Sequence, residues 1–147
     1  MRPSPLVSVI IPTYYRRDVV DAVESAVSQT YENVEIIVVD DSGEGYAAQW
    51  LDSREDILYA QLEMNQGANS ARRIGFERSS GYFVHFLDDD DQLKPEKIEK
   101  SVETMRGRGD LAVVYSGVEF DGESQYPDSD CRGEMLRDAL KFEMWPC

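Results

Sequence analysis

Four consecutive aspartates are the residues in this chain with the clearest potential for chemistry. Asp88, Asp89, Asp90 and Asp91 follow directly after FVHFL at 83–87, which carries no charge at neutral pH. Two carboxylates about 4 Å apart repel by roughly 4 kcal/mol at an effective dielectric near 20, and burying them without partners costs more. The four side chains must therefore meet water or a cation. The motif alone leaves open a solvated acidic turn or a divalent-metal site.

Two other polar clusters also follow apolar runs. PTYYRR at 12–17 follows LVSVII at 6–11, and DDSG at 40–43 follows VEIIVV at 34–39. In an open parallel α/β sheet, ligands bind beyond the carboxyl ends of the strands, so these clusters should converge at one edge. A carboxylate cluster favours a hard cation, Mn²⁺ or Mg²⁺, which takes further ligands from water and substrate phosphates. An aromatic ring beside a carboxylate suits a nucleobase, so the sequence indicates a pocket for a nucleoside diphosphate conjugate.

The elements that position these clusters alternate between strand and helix. Apolar and β-branched runs predict strands, and apolar spacing of three to four residues predicts helices. Strands are predicted at 6–11, 34–39, 57–62, 82–87 and 111–116. Helices are predicted at 18–27, around 46–51, and at 67–79, 95–105 and 134–140. The alternation predicts an α/β fold with a mostly parallel sheet and helices on both faces, and residues 1–147 are expected to form a single domain.

Two helices carry more detailed predictions. Asp18 is expected to be the N-cap of the first helix. The third helix is expected to place Ala68, Ala71, Ile74 and Arg78 on one side, and Ser80-Gly81 should end it.

Composition excludes several classes of function. The 147 residues carry a formal net charge of −14, with 29 Asp and Glu against 15 Lys and Arg. This balance argues against a nucleic-acid binder and against electrostatic binding to anionic lipid. Only four of the basic residues are Lys. An acid-rich, Lys-poor surface suits a high-salt cytoplasm, where salt screens self-repulsion, so we expect the melting temperature to rise steeply in molar KCl.

Cysteine and histidine usage argues against a structural zinc site. The chain has one histidine, and its cysteines, Cys131 and Cys147, lack metal-ligand spacing. The apolar run at 6–11 is too short for a signal peptide or a membrane span. We therefore expect a cytoplasmic location, with the cytoplasmic face of the membrane as a variant of it.

Four sequence blocks together resemble family 2 glycosyltransferases of the GT-A fold. The blocks occur in the family's order and at its spacing: VSVIIPTYYR (7–16), VEIIVVDDSG (34–43), NQGANSARRIGFERSSGYFVHFLDDDD (65–91) and KPEKIEK (94–100). The resemblance covers roughly residues 6 to 116. It implies a Rossmann-like nucleotide-binding half that transfers a sugar, with inversion, from a UDP- or GDP-sugar to an acceptor hydroxyl.

The resemblance also implies roles for individual residues. Tyr14 and Asp41 match positions that contact the base, and Pro12 and Thr13 match the loop beside it. Arg72 matches an arginine near the diphosphate.

The aspartates match the family's DxD-type motif. Asp88 and Asp90 are assigned to the metal, Mn²⁺ or Mg²⁺, and Asp89 to the nucleotide.

Departures from the family pattern bear on donor and acceptor. The family usually has Asn where this chain has Tyr15 and Arg73. No residue after 121 matches the half that carries the acceptor pocket and catalytic base. We therefore expect a portion of a longer enzyme, truncated before that half, whose base is unknown and whose acceptor is a glycan, lipid or protein. Apolar surface left uncovered would favour self-association.

Three other interpretations stay open. A non-catalytic nucleotide-sugar binding module would carry the same donor residues. GEGYAA at 43–48 with Glu63 fits a dinucleotide-binding fingerprint, although Asp40-Asp41-Ser42 would place carboxylates beside the pyrophosphate. A receiver domain would need its acidic pair after the first strand, where this chain has Pro-Thr-Tyr.

Overall fold

The computed structural model describes residues 4–114, 116–120 and 122–126. The chain forms two compact units, Met1–Glu103 and Thr104–Cys147. The single domain expected over 1–147 stays a prediction, because much of the second unit lies outside the described residues. The predicted helix at 134–140 and both cysteines lie there as well.

The first unit is built on a four-stranded parallel sheet. Its strands are β1 (Val7–Thr13), β2 (Val34–Asp40), β3 (Leu58–Gln61) and β4 (Phe83–Phe86), and their spatial order is β3-β2-β1-β4. The pairing of β1 with β2 and with β4 is parallel, as is that of β2 with β3. The predicted strands at 6–11, 34–39, 57–62 and 82–87 are confirmed.

Helices cover both faces of this sheet, as predicted. The helices are α1 (Val19–Val27), α2 (Ala48–Leu51), α3 (Ala68–Arg78) and α4 (Lys97–Met105). One core cluster joins Val9 and Ile11 to buried residues of α1, α2 and α4. The other joins Ile10 and Ile37 to α3. Because neighbouring residues of a strand point to opposite faces, the continuous apolar run of β1 fills both cores.

Helix α3 approaches the sheet through small side chains. Ala71 and Gly75 are its buried residues, and a Cβ added at Gly75 would lie 2.4 Å from Ile10 Cγ2. Of the four residues predicted on one side of α3, Ala71 is buried and Ile74 packs against the core, whereas Ala68 and Arg78 are exposed. Apolar spacing does not reveal a helix face whose closest contact is made by glycine.

Asp18 holds the N-cap position of α1 but does not cap it with its side chain. Its backbone angles, φ −60° and ψ −19°, are already helical, whereas a capping side chain usually needs an extended backbone. The Asp18 carbonyl instead accepts the Ala22 N–H at 3.1 Å. The predicted N-cap position is therefore confirmed, without a hydrogen bond from the Asp18 side chain.

The second unit contains a short hairpin. Strands β5 (Val118–Phe120) and β6 (Glu123–Gln125) pair antiparallel. The strand predicted at 111–116 was wrong, since residues 111–114 and 116 are outside any strand and Val113 is 66% exposed. An apolar run forms a strand only when a neighbouring strand pairs with it through backbone hydrogen bonds. None of the described strands pairs with this run.

In the ranges that the structure describes, every helix is too short or too polar to span a lipid bilayer.

Candidate functional site

The strand order reverses beside β1. Strands β2 and β3 extend the sheet on one side of β1, and β4 pairs with its other side. Loops leaving the carboxyl ends of such strands diverge and open a crevice, which is where open α/β sheets bind ligands. The crevice in this protein lies at the end of β1.

A cleft of about 370 Å³ occupies that position. All eight residues that the sequence assigned to donor or metal line it: Pro12, Thr13, Tyr14, Asp41, Arg72, Asp88, Asp89 and Asp90. Five lining residues had no predicted role: Arg16, Asn65, Gly67, Ala68 and Ala71. All five lie within the quoted blocks, and Arg16 follows the end of β1 by three residues.

Asp89 lies at the junction of β1 and β4. Its Oδ2 accepts a hydrogen bond from Thr13 Oγ1 at 2.8 Å. Burial raises the pKa of Asp89, although hydrogen bonds from Thr13 and the Tyr14 backbone and the charge of Arg16 act in the opposite direction. The side chain therefore ties the two strand ends together, and its other oxygen, Oδ1, lies 3.7 Å from Arg16 Nε.

Two arginines neutralise the other cleft aspartates. Arg16 Nη1 lies 2.8 Å from Asp90 Oδ2, and Arg72 Nη2 lies 2.5 Å from Asp88 Oδ1. Both carboxylates are about half exposed. The cations that the aspartates meet in this structure are thus guanidinium groups from the β1 loop and from α3.

Asp91 follows these residues but is not part of the cleft lining. Burial and the neighbouring carboxylates Asp90 and Asp88 raise its pKa.

The donor set of the cleft fits a cation that takes most of its ligands from elsewhere. Among the residues described, no three Asp, Glu, His or Cys side chains are arranged to hold a metal ion by themselves. Asp88 and Asp90 nevertheless offer hard oxygen ligands at the rim of one cleft. Mg²⁺ and similar ions are commonly bound by one or two carboxylates plus substrate phosphates and water.

Asp40 and Asp41 organise the loops around the cleft. Asp40 is fully buried and accepts hydrogen bonds from Ser42 N, Ala47 N and Tyr59 Oη at 2.9, 2.7 and 2.6 Å. Burial acts to raise its pKa, but these hydrogen bonds lower it overall. Its role is to fix the loop between β2 and α2.

Asp41 faces the cleft and is only 3% exposed. Its two carboxylate oxygens accept the backbone N–H groups of Gln66 and Gly67 at 2.7 and 2.8 Å. It therefore holds the loop that leads into α3, and its oxygens can each accept a further hydrogen bond.

The Asp40 contacts argue against the dinucleotide-binding interpretation of residues 43–48. That motif binds a pyrophosphate through backbone N–H groups of the loop. The Ser42 and Ala47 N–H groups at the two ends of this loop already bond to Asp40. A carboxylate thus occupies the position that the motif needs for the anion.

Tyr14 stands at the rim of the cleft. Its side chain is 51% exposed, and its ring meets Tyr15 edge to face with the centroids 4.8 Å apart. Tyr15 donates a hydrogen bond to Glu44 Oε1 at 2.7 Å, and this bond is the main reason that the pKa of Tyr15 is raised to about 12.

The chain matches known glycosyltransferases in sequence and fold. The profile of "Glycosyl transferase family 2" matches residues 8–144. TuaG of Bacillus subtilis, a glycosyltransferase named for teichuronic acid biosynthesis, is 42% identical over 92% of this chain and 59% of TuaG. The Bacillus subtilis glycosyltransferase EpsH is 30% identical over 86% of this chain and 38% of EpsH.

A similar fold occurs in Staphylococcus aureus TarS 1–349, solved in complex with UDP-GlcNAc. The TM-score is 0.71 at 23% identity, covering 80% of this chain and 36% of that one. The likeness confirms the predicted GT-A type of α/β fold. With the profile covering most of its length, this chain belongs to glycosyl transferase family 2.

Proposed function

We propose that this chain is the donor-binding portion of an inverting, metal-dependent glycosyltransferase. It would bind a UDP- or GDP-sugar and present the sugar to an acceptor hydroxyl. One observation carries the proposal: aromatic, carboxylate and guanidinium groups from four separate segments line a single cleft at the carboxyl edge of the sheet. These are the groups that a base, a ribose and a diphosphate require.

The nucleoside would occupy the side of the cleft next to β1. Tyr14 offers a half-exposed ring for stacking, and the loop of Pro12 and Thr13 lies beside it. Asp41 would accept an N–H of the base, and Asp89 a ribose hydroxyl. UDP is the first nucleotide to test, because the similarly folded TarS was solved with UDP-GlcNAc.

The diphosphate would occupy the side of the cleft next to α3. Asp88 and Asp90 would hold Mn²⁺ or Mg²⁺, and such a cation supplies Lewis-acid stabilisation of the leaving diphosphate. Arg72 lies on the second turn of α3 and Arg16 on the β1 loop. Both guanidinium groups would exchange a carboxylate for a phosphate oxygen, since arginine binds carboxylates and phosphates with the same kind of charge-assisted hydrogen bond.

The proposal assigns no catalytic base. This chain spans 59% of TuaG and 38% of EpsH, so the acceptor site, the base and inversion stay proposals. A cytoplasmic location, self-association and salt-stabilised folding also stay predictions.

Isothermal titration calorimetry with UDP and GDP, with and without Mn²⁺, tests the donor site. We expect one nucleotide to bind, and to bind more tightly with Mn²⁺. Asp90→Asn should lower the Mn²⁺-dependent affinity about tenfold, equal to about 1.4 kcal/mol. Asp91→Asn removes the same charge one residue along, outside the cleft lining, and should change affinity less than twofold.

The proposal fails if neither nucleotide binds, or if binding ignores both Mn²⁺ and Asp90→Asn. Release of UDP from a UDP-sugar, followed by chromatography, separates an enzyme from a binding module. A module would bind the donor and leave it intact.

A further inference from the structure

Tyr15 has an unusual backbone conformation. Its φ is +52°, and among the described residues it is the one non-glycine residue with positive φ. This left-handed region is unfavourable for a bulky side chain, and glycine and asparagine adopt it more readily. A tyrosine that persists there is held by its surroundings, and such residues are concentrated at functional sites.

The hydroxyl of Tyr15 is anchored on the loop between β2 and α2. It donates to Glu44 Oε1 at 2.7 Å and lies 3.3 Å from the Ser42 carbonyl oxygen. The same loop is fixed from inside, because Ser42 Oγ accepts the Tyr46 N–H at 2.9 Å and buried Asp40 accepts the Ser42 N–H. Tyr15 is therefore attached to a loop that is already ordered.

The ring of Tyr15 belongs to a column of four aromatic rings. Centroid distances are 4.8 Å from Tyr14 to Tyr15, 5.2 Å from Tyr15 to Tyr46, and 5.4 Å from Tyr46 to Trp50. Trp50 lies in α2 and packs against the core cluster beneath α1. The column thus runs from the core to Tyr14 at the rim of the cleft.

We propose that Tyr15 is a positioning residue for the nucleobase. It holds the exposed Tyr14 ring in place, so that the base stacks on a ring that is ordered before binding. Without Tyr15, the Tyr14 side chain would lose its rotational freedom on binding, and that loss weakens affinity. The inference rests on the proposed function, in which Tyr14 contacts the base.

The experiment compares a ligand that has a base with one that lacks it. UDP (or GDP, whichever binds the wild-type protein) and inorganic pyrophosphate are titrated calorimetrically in Mn²⁺ into wild type, Tyr15→Asn and Tyr15→Phe. Tyr15→Asn removes the ring but suits the left-handed backbone. We expect it to weaken nucleotide binding about three- to tenfold and to change pyrophosphate binding less than twofold.

The milder variant and the controls separate positioning from damage to the fold. Tyr15→Phe keeps the ring and loses only the hydroxyl anchor, so it should weaken nucleotide binding less than Tyr15→Asn. Tyr82→Asn, at a tyrosine 80% exposed and absent from the cleft lining, should leave both ligands unaffected. Relief of backbone strain offsets the lost contacts, so the melting temperature of Tyr15→Asn should stay within about 3 °C of wild type.

Three results would overturn the inference. Unchanged nucleotide affinity in both variants would remove Tyr15 from base binding. Equal losses for nucleotide and pyrophosphate would show general damage to the cleft. A wild-type protein that binds pyrophosphate with Mn²⁺ but neither nucleotide would overturn the proposed function as well.

Discussion

At the edge of the sheet where the strands begin, a carboxylate is held entirely by neutral donors. Glu35 accepts hydrogen bonds from Ser8 Oγ at 2.5 Å, from Ser80 N at 2.6 Å and from Gly81 N at 3.0 Å. Ser80 Oγ adds a fourth at 2.9 Å. At the opposite edge, Asp88 and Asp90 of the cleft face two guanidinium groups instead, on long and partly exposed side chains.

Glu35 also differs from two of the aspartates after β4 in the direction of its pKa shift. Burial acts to raise the pKa of Glu35, but its hydrogen bonds lower it overall. Burial raises the pKa of Asp89 and of Asp91, and too few donors offset it. A carboxylate whose oxygens already accept hydrogen bonds from fixed donors stabilises the fold. One that is paired only with a movable cation can exchange that partner for a ligand.

The largest effect is expected at Asp40, which lies at the cleft edge but is held as Glu35 is. Asp40→Ala leaves two buried backbone N–H groups and the half-buried Tyr59 hydroxyl without an acceptor, each buried donor costing about 1–3 kcal/mol, so we expect a loss of about 4 kcal/mol in the free energy of unfolding. Urea denaturation measures it. Asp90→Ala in the same assay should cost less than about 1 kcal/mol, and a larger loss there would contradict the distinction.

The pH dependence of the free energy of unfolding should distinguish the one histidine, His85, from the hydrogen-bonded carboxylates Glu35 and Asp40. The two kinds of group contribute in different pH ranges. Burial, with a smaller effect of Lys97, lowers the pKa of His85 in β4 to about 4. The unfolded chain, with an ordinary pKa near 6.5, then binds more protons than the fold. Stability should therefore fall by up to about 3 kcal/mol as the pH drops from about 6.5 to 4.

Glu35 and Asp40 act in a lower pH window. Their pKa values are lowered on folding, so their contribution is present above the unfolded values near 4 and is lost below them. His85→Gln should flatten the stability profile between pH 6.5 and 4 and leave the acid limb in place. A profile unchanged by His85→Gln would assign the upper window to another group.

A smaller loss is expected at the edge where the strands begin. Glu35→Ala should lower the free energy of unfolding by about 2 kcal/mol, because the Ser80 N–H and two hydroxyls lose their acceptor, while the Gly81 N–H keeps Ser8 Oγ at 2.8 Å. It should leave nucleotide affinity within twofold of wild type. Glu32→Ala, at an exposed position three residues earlier, is the matched control for stability. A weakened nucleotide affinity in Glu35→Ala would show that the two edges are coupled.

The sequence predicted the strands and the cleft residues for one shared reason. Continuous β-branched runs mark strands that are buried on both faces, and polar residues directly after them must lie at the carboxyl edge. Thr13, Asp41 and Asp88 could therefore be placed together without knowing any contact. The buried face of α3 and the absence of a strand at 111–116 could not be predicted in this way. Each depends on whether a distant part of the chain packs against the segment or pairs with it.

Side-chain pairing and backbone strain could not be predicted from the sequence either. Arg16 reaches Asp90 across 74 residues of chain, and a long side chain at a strand end has many possible partners. The positive φ of Tyr15 contradicts the preference of its own residue type. Local rules fail where the surroundings override them, and in this protein both cases lie at the cleft.

The smallest effect on stability is expected for the cleft arginines Arg16 and Arg72. Their substitution should weaken nucleotide binding while leaving the free energy of unfolding almost unchanged. Ion pairs as exposed as those of Arg16 and Arg72 contribute at most about 1 kcal/mol, so Arg16→Gln and Arg72→Gln should unfold almost as wild type does. If both groups move to the diphosphate, each variant should bind the nucleotide with Mn²⁺ about tenfold more weakly, since charge-assisted bonds to phosphate are lost. Arg17→Gln makes the same change beside Arg16 but outside the cleft lining, and it should leave binding unaltered. Stability losses above about 2 kcal/mol with intact binding would place these arginines with the structural groups around Glu35, and the contrast between the two edges would no longer hold.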